Sequence, residues 1–247
     1  MYLNLLFQKF VCFCFITILY STLWVWFFIF KKHHINNLKY IRKRFKAIKH
    51  KIKGSLIICP NHLTYIDSII LLFAFGTLWD YLLDFRTLSW NFPKIEHIKN
   101  NLLYKSICYL GKCIPINFAD QPKLILKKAA FLLSYGEYIL LFPEGHRSTT
   151  GSVDTDNFTY GVGKLVTEIP TVNVLCVYLR GSSQKNSSNF PKDKEHFYCK
   201  IKLINIKQCV DEFNINNQHP LRSYRNISRS IINNLHKMEQ QYFLSHG

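Results

Sequence analysis

The chain has 247 residues, a length that suits one domain of ordinary size or one domain plus a small appendage. Hydrophobic residues make up 48% of it and aromatic residues 15%, which excludes a disordered protein. The formal net charge of +17 indicates one of two kinds of partner, a nucleic acid or an anionic membrane.

The first predicted element is an apolar helix near the N-terminus. Residues 11–30 carry no charge, and a helix of this length reaches about 30 Å, the thickness of a bilayer core. Trp24 and Trp26 near its end are typical of a membrane interface. A cleaved signal peptide is disfavoured, because the apolar run is too long and no small-residue cleavage site follows. A helix that enters only one leaflet remains an alternative to a single span.

A basic amphipathic helix is predicted next. Residues 1–53 contain eleven Lys or Arg and no acidic residue, and ten of the eleven lie from Lys31 to Lys53. Within this stretch apolar residues recur at steps of three and four, leaving a basic polar face. Positive residues beside a span favour the cytosolic side, so we expect everything after residue 30 to face the cytosol. The charge therefore indicates membrane lipids as a partner, and no nucleic-acid recognition motif accompanies it.

Short apolar runs alternate with helical patterns in the rest of the chain. The predicted strands are 55–59, 82–89, 113–117, 138–142, 171–179 and 197–206, and the predicted helices are 67–75, 122–135 and 221–243. This order predicts an α/β fold with a mixed sheet covered by helices, preceded by the membrane helix and the basic amphipathic helix. We accordingly divide the chain into an anchor, residues 1–53, and a second domain, residues 54–247.

The cysteines exclude two further classes of protein. There are eight, and none forms a C-x-x-C pair. Several lie in apolar runs that are predicted to be strands. This distribution indicates buried free thiols in a reducing compartment, and neither a disulfide framework nor a zinc site.

The first motif with chemical potential follows the strand at 55–59. Asn61 and His62 come directly after Pro60, and Asp67 opens the next helix. His is suited to remove a proton near neutral pH, and a carboxylate on its other ring nitrogen would fix the tautomer. A regular helix keeps residues five apart on different faces, so a turn is needed to join the pair. The alternative is structural: Thr64 and Asp67 resemble a capping box.

The second motif follows the strand at 138–142 and spans residues 142–148, with the sequence FPEGHRS. Glu144 and Arg147 lie three apart beside the flexible Gly145. Arg presents a planar fork that suits a phosphate, and Glu can orient a hydroxyl group or the Arg itself. The alternative is a surface Glu–Arg pair that stabilises little.

Together the two motifs resemble the glycerolipid acyltransferases of the lysophosphatidic acid acyltransferase type. N-H-x-x-x-x-D is that family's first block and F-P-E-G-x-R-S its third, and the resemblance covers about residues 50 to 180. It implies a membrane enzyme of phospholipid biosynthesis. Such an enzyme moves a fatty acyl group from acyl-CoA or acyl-carrier protein to a lysophospholipid hydroxyl. The acceptor it implies is 1-acylglycerol 3-phosphate, which gives phosphatidic acid, and no cofactor or metal is expected.

The resemblance also implies roles for individual residues. His62 and Asp67 would be catalytic, and the substrate-binding residues would be Asn61, Glu144, Gly145, Arg147 and Ser148. The family's second block departs from its pattern here, with Asn117 and Phe118 where an acidic residue and an Arg are usual. That Arg is expected to hold the acceptor's phosphate, so the head group stays open. Lys112 or Lys123 would compensate for it, or either is an ordinary surface lysine.

Three rival interpretations remain at this point. The acceptor could be glycerol 3-phosphate, a lyso-aminolipid or lysocardiolipin. His62, Asp67, Glu144 and His146 could be metal ligands of a hydrolase, although no closely spaced His pair supports this. The chain could also be a membrane-surface binding module with an inactive site.

Overall fold

The strands form one mixed sheet. A computed structural model describes residues 2–97, 101–117, 122–184, 190–206 and 219–246. The strands within these ranges are β1 (His34–Ile35), β2 (Leu56–Pro60), β3 (Trp90–Asn91), β4 (Tyr138–Leu140), β5 (Asn173–Gly181) and β6 (His196–Ile204). They pair in the order β1-β6-β5-β2-β4-β3. Only the β5–β6 pair among them is antiparallel, so the predicted mixed sheet is confirmed.

Helices cover both faces of this sheet, as predicted. They are α1 (Tyr2–Trp24), α2 (Leu38–Lys51), α3 (Asp67–Phe75), α4 (Leu78–Leu83), α5 (Leu102–Leu110), α6 (Pro122–Ser134), α7 (Gly161–Glu168) and α8 (Pro220–His246). Every residue of β2 is buried. Its side chains alternate between two hydrophobic clusters, with Ile57 and Cys59 on one side of the sheet and Leu56 and Ile58 on the other. Such two-sided burial explains why the predicted strands are continuous apolar runs.

Two of the predicted strands are wrong. Residues 82–89 instead complete α4 and form a 3-10 turn at Phe85–Thr87, because Thr77 and Asp80 make a capping box that starts a helix. Residues 113–117 form only isolated bridges, at Cys113 with Asn91 and at Ile116 with Lys94. The remaining predicted strands and the three predicted helices are present, with ends shifted by a few residues.

The N-terminal helix packs along the domain. Together with a π-helical segment at Val25–Phe30, α1 is long and apolar enough to cross a membrane. One of its faces nevertheless makes polar contacts with the domain. Gln8 donates hydrogen bonds to the carbonyls of Tyr109 and Cys113, both at 3.0 Å.

Further contacts cross the division predicted after residue 53. Lys9 of α1 forms an ion pair with Glu137, which lies just before β4. Strand β1 pairs with the first two residues of β6 and so adds residues 34–35 to the sheet. The buried side of α2, with Ile41 and Phe45, confirms that this helix is amphipathic. The two-domain division itself stays a prediction.

The seven described cysteines are all free thiols, and five of them are buried. Cys14 is the exposed one, on α1. Cys209 lies outside the described residues.

Candidate active site

The carboxyl ends of β2 and β4, which are parallel neighbours, bring the two motifs together. His62 lies in the turn between β2 and α3, and Asp67 is the first residue of α3. Because residues 61–66 are not helical, the ring and the carboxylate meet. The distance from His62 Nδ1 to Asp67 Oδ2 is 2.9 Å. The turn that the sequence required is therefore present.

Asp67 also holds the turn itself. Its Oδ2 accepts hydrogen bonds from the backbone N–H groups of Leu63 at 2.8 Å and Thr64 at 3.0 Å. The Thr64 hydroxyl donates to Oδ1. This is not the capping box considered above, because Ile66 is the cap of α3 and makes no side-chain cap bond. One buried carboxylate therefore fixes both the loop and the imidazole, so the structural and chemical roles coincide.

The His62 ring has one nitrogen left for chemistry. It stacks on the Phe142 ring with centroids 3.8 Å apart, and its side chain is 21% exposed. When Nδ1 donates its hydrogen to Asp67, Nε2 carries the lone pair. In the described parts of the chain, no hydrogen bond engages Nε2. The ring is thus fixed on one side and open to a reactant on the other.

Residues of the third block form hydrogen bonds with the backbone of His62. The His62 N–H donates to Glu144 Oε1 at 2.9 Å, and the His62 carbonyl accepts from the Ser148 N–H at 2.9 Å. The two motifs are therefore joined by hydrogen bonds to the peptide groups before and after His62, although His62 and Glu144 are 82 residues apart in the chain. Nothing in the spacing of the motifs indicates this junction.

Glu144 is a buried carboxylate, only 1% exposed. Its second oxygen, Oε2, accepts from the Asp154 N–H at 3.2 Å. Burial raises the pKa of Glu144 to about 7. The two backbone N–H donors oppose that rise, and the charges of Asp154 and Glu239 add to it. Both oxygens thus face the protein, and the predicted contact of Glu144 with substrate stays a prediction.

Gly145 is required by its conformation. Its φ of +75° lies in the left-handed region, and an added Cβ would lie 2.3 Å from Thr159 Cγ2. Thr159 is itself fixed by hydrogen bonds to the carbonyl of Pro143. A side chain at position 145 would push the two arms of this loop apart.

Arg147 lies beside the His62 turn on an aromatic support. Its Nη2 donates to the Tyr65 hydroxyl at 2.8 Å, and its Cζ lies 3.6 Å from the centroid of the Tyr65 ring. Cation–π stacking of this kind holds a guanidinium group in place while its planar edge can still meet an anion. The sequence reasoning assigned no role to Tyr65, although it stands inside the first motif.

Asn61 and Ser148 are both buried. The Asn61 amide donates to the Leu179 carbonyl at 3.0 Å and accepts from the Leu179 N–H at 2.7 Å, which continues the β2–β5 pairing beyond Pro60. The Ser148 hydroxyl lies 3.3 Å from that of Thr150. These contacts position the turn, and the predicted contacts of both residues with substrate stay predictions.

A family model described as Acyltransferase matches residues 31–180, more than half of the chain and the segment that contains both motifs. The chain belongs to the acyltransferase family. No curated protein was found to match it. Membership supports an enzyme that transfers acyl groups in general, as the resemblance implied.

One expectation about the second block of this acyltransferase is wrong. Lys112 is not a surface lysine, because it is fully buried and its Nζ lies 2.8 Å from Glu137 Oε2 and 2.7 Å from the Leu88 carbonyl. It therefore cannot replace the usual Arg. Lys123 is exposed, Asn117 is half-buried, and Phe118 lies outside the described residues.

The amino end of β5 lies far from the site. Asn173 begins β5, and its amide donates to the carbonyls of Lys53 and Ser55. Leu179, next to Asn61, is six residues further along β5, or about 20 Å. Asn173 therefore joins two strands at the opposite end of the sheet.

The possible metal ligands are engaged with other protein groups, His62 and Asp67 with each other. His146 contacts the Glu144 carbonyl with Nδ1 and Asp154 with Nε2, and both Glu144 oxygens meet backbone N–H groups. In the ranges that the structure describes, no group of three or more His, Cys, Asp or Glu residues is arranged to hold a metal ion.

Proposed function

We propose that this acyltransferase moves a fatty acyl group from acyl-CoA or acyl-carrier protein to the hydroxyl of a lysophospholipid. The proposed acceptor is 1-acylglycerol 3-phosphate, and the product phosphatidic acid. The observation that carries the proposal is the 2.9 Å contact of His62 Nδ1 with a buried Asp67. That contact leaves Nε2 as a base, and Tyr65 of the same turn holds Arg147, a cation suited to phosphate.

The reaction balances with residues of this chain alone. His62 Nε2 takes the proton of the acceptor hydroxyl as the oxygen attacks the thioester carbonyl carbon. The tetrahedral intermediate then breaks its C–S bond, and the proton on Nε2 passes to the departing thiolate. Asp67 stays ionised and stabilises the imidazolium that forms between the two steps. The N–H and C=O of His62 are already bound, so little reorganisation is needed during the reaction.

Arg147 supports a phosphate-bearing acceptor. Its guanidinium is held by the Tyr65 ring and hydroxyl, so a phosphate would meet a cation that is already ordered. Glycerol 3-phosphate and lysocardiolipin carry the same feature and remain alternative acceptors. A neutral acceptor would gain nothing from this arrangement.

The N-terminal region supports a membrane as the partner. The outer face of α1 exposes large apolar side chains, and so do α4 and α5, which pack beside it; among them are Leu3, Leu6, Phe7, Phe10, Ile18, Trp79, Leu83, Leu102 and Leu103. We propose that this face enters the cytosolic leaflet and that the basic side of α2 contacts anionic head groups. Flotation with anionic but not with neutral vesicles would support the contact, and flotation with neither would contradict it.

Acyl transfer by purified, detergent-solubilised protein tests the function. Wild type and His62→Ala would receive acyl-CoA or acyl-carrier protein with a panel of lysophospholipids and glycerol 3-phosphate. We expect product from wild type and a loss of about 10²- to 10⁴-fold in the variant, with unfolding unchanged, because the base is removed. Equal product from both would exclude His62 as the base. No product from a folded wild type with any pair of substrates would favour a binding module.

A further inference from the structure

The C-terminal helix α8 lies outside the matched segment, yet it packs closely on it. At the contact with α7, an added Cβ on Gly163 would lie 2.0 Å from the Tyr224 carbonyl oxygen. The Gly163 N–H also donates to the Ser228 hydroxyl at 3.1 Å. This close approach fixes the position of α8. It therefore also fixes the place of Glu239, about three helical turns beyond Ser228.

Glu239 is an acidic residue inside the protein, only 4% exposed. The N–H of Val153 donates to both of its carboxylate oxygens, each at 3.2 Å. Arg180 Nη1 lies 4.0 Å from Oε1, and His236 Nδ1 lies 3.4 Å from Oε2. The Tyr178 hydroxyl is at 3.5 Å. A helix residue thus holds the loop that follows the third block.

Arg180 of β5 holds the same loop from the sheet side. It is 6% exposed, and its Nη1 donates to the carbonyl of Gly151 at 2.7 Å. Gly151 has a φ of +77°, so the loop turns sharply at this point. The segment 151–153 is consequently held by a carboxylate on one element and a guanidinium on another.

From this loop the hydrogen bonds continue to the catalytic turn. Asp154, the residue after Val153, donates its N–H to Glu144 Oε2, and Glu144 Oε1 accepts from the N–H of His62. A short continuous run therefore leads from Glu239 through residues 153–154 and Glu144 to the backbone of His62. Each step is a direct hydrogen bond or one covalent neighbour.

We propose that Glu239 is a positioning residue for acyl transfer, which fixes His62 through the 153–154 peptide and Glu144. This inference rests on the proposed function. It makes α8 a part of the active site, although the helix carries neither motif. Glu239 touches no reacting atom, so it acts only on the geometry of the base.

The electrostatics of Glu144 give this link a second readout. Burial is the largest cause of the raised pKa of Glu144. The negative charges of Asp154 and Glu239 raise it further. His146 contacts the Glu144 carbonyl, and Arg180 and His236 face Glu239. Removing the charge at position 239 should therefore lower the pKa of Glu144.

The test compares Glu239→Ala and Glu239→Gln with wild type and with Glu168→Gln, a half-exposed glutamate at the end of α7 that pairs with Lys164. Rates are taken per folded molecule, well below each unfolding midpoint. We expect kcat of Glu239→Ala to fall about ten- to a hundredfold with a nearly constant KM, because displacement of a catalytic group lowers the rate of chemistry. Glu239→Gln keeps an acceptor for Val153 but removes the charge that raises the pKa of Glu144. Glu144 should then be an ionised acceptor for the His62 N–H at lower pH, and the acid side of the pH–kcat profile should move to lower pH. Glu168→Gln should change neither.

The outcomes separate this inference from the function on which it rests. Unchanged kcat and an unchanged pH profile in both Glu239 variants, beside an active wild type, would overturn the positioning role. An inactive wild type would contradict the proposed function instead. The ¹³C titration of the Glu144 carboxyl, assigned with Glu144→Gln, then still decides whether Glu239 is coupled to it. A titration that Glu239→Gln leaves in place would overturn the coupling, and one that moves to lower pH would support it.

Discussion

The two ends of β4 carry two buried glutamates with opposite surroundings. At the amino end Glu137 accepts hydrogen bonds from Lys9, Lys112 and the Trp90 indole. At the carboxyl end, within the part of the chain that the structure describes, the Glu144 carboxylate accepts hydrogen bonds only from backbone N–H groups. Burial alone would raise the pKa of either residue. At Glu137 the two ammonium groups outweigh burial and lower the pKa, whereas at Glu144 burial prevails.

When ionised, the same kind of side chain therefore stabilises the fold at one end of the strand and destabilises it at the other. Glu137 has a lowered pKa, so its contribution to stability is present above its ordinary pKa and is lost as the pH falls. Glu144 has a raised pKa, so its contribution is present below 4.5 and is lost as the pH rises through about 7. The ionised Glu137 therefore stabilises the fold at the amino end of β4. At the carboxyl end, ionisation of Glu144, which binds the backbone of the base His62, destabilises it.

The amino end should show the largest effect on stability. Glu137→Leu would leave the fully buried Lys112 without its carboxylate, and breaking a buried ion pair costs about 3–5 kcal/mol. Loss of the contact with Lys9 should also loosen α1. Unfolding by denaturant in detergent measures the first effect, and proteolysis near the N-terminus measures the second.

The double variant Glu137→Leu with Lys112→Met is the matched control for this prediction. Because both charges are then removed together, it should recover most of the lost stability. The kcat per folded molecule should stay near that of wild type in both proteins. A single variant as stable as wild type would show that the ion pair does not hold the amino end.

The carboxyl end should show a smaller effect with the opposite dependence on pH. Glu144→Gln mimics the protonated carboxyl, so its free energy of unfolding relative to wild type should rise by roughly 3 kcal/mol between pH 4 and pH 8. The rise reflects the pKa near 7, since wild type must ionise a buried group over this range. Denaturant midpoints of both proteins across the range measure it. A constant difference would mean that Glu144 titrates normally.

Much of this arrangement follows from the sequence. Continuous apolar runs predicted β2, β4 and β5, and the motifs at their ends predicted where His62 and Glu144 would lie. Hydrogen bonds between distant residues carry no periodic signal, so the bond from His62 to Glu144 could not be predicted from the sequence. Lys112 was misjudged for the same reason. A lysine followed by an apolar run is typical of a surface turn, and only the fold reveals its contact with Glu137.

The segment at 82–89 shows how local chemistry defeats a hydrophobic pattern. Its apolar residues fit a strand, but Thr77 and Asp80 start a helix that extends to Leu83. Asp84 then accepts the N–H of Arg86 and forms a short turn. Capping residues upstream therefore decide the structure of this segment.

Of these substitutions, Arg147→Ala should change the stability of the fold least. Lys112 forms a buried ion pair with Glu137, whereas Arg147 is stacked on Tyr65 at the site itself. Removal of the Arg147 side chain should therefore affect binding of the acceptor more than the stability of the fold. For Arg147→Ala we expect the KM for the lysophospholipid to rise about tenfold or more, the value of a hydrogen bond to a charged group, with kcat less affected. Arg147→Lys, which keeps the charge but loses the planar fork, should recover part of the loss. Steady-state kinetics with varied acceptor at saturating acyl donor measure both constants. If kcat alone falls, Arg147 acts on the chemical step, and the phosphate of the acceptor must be bound elsewhere.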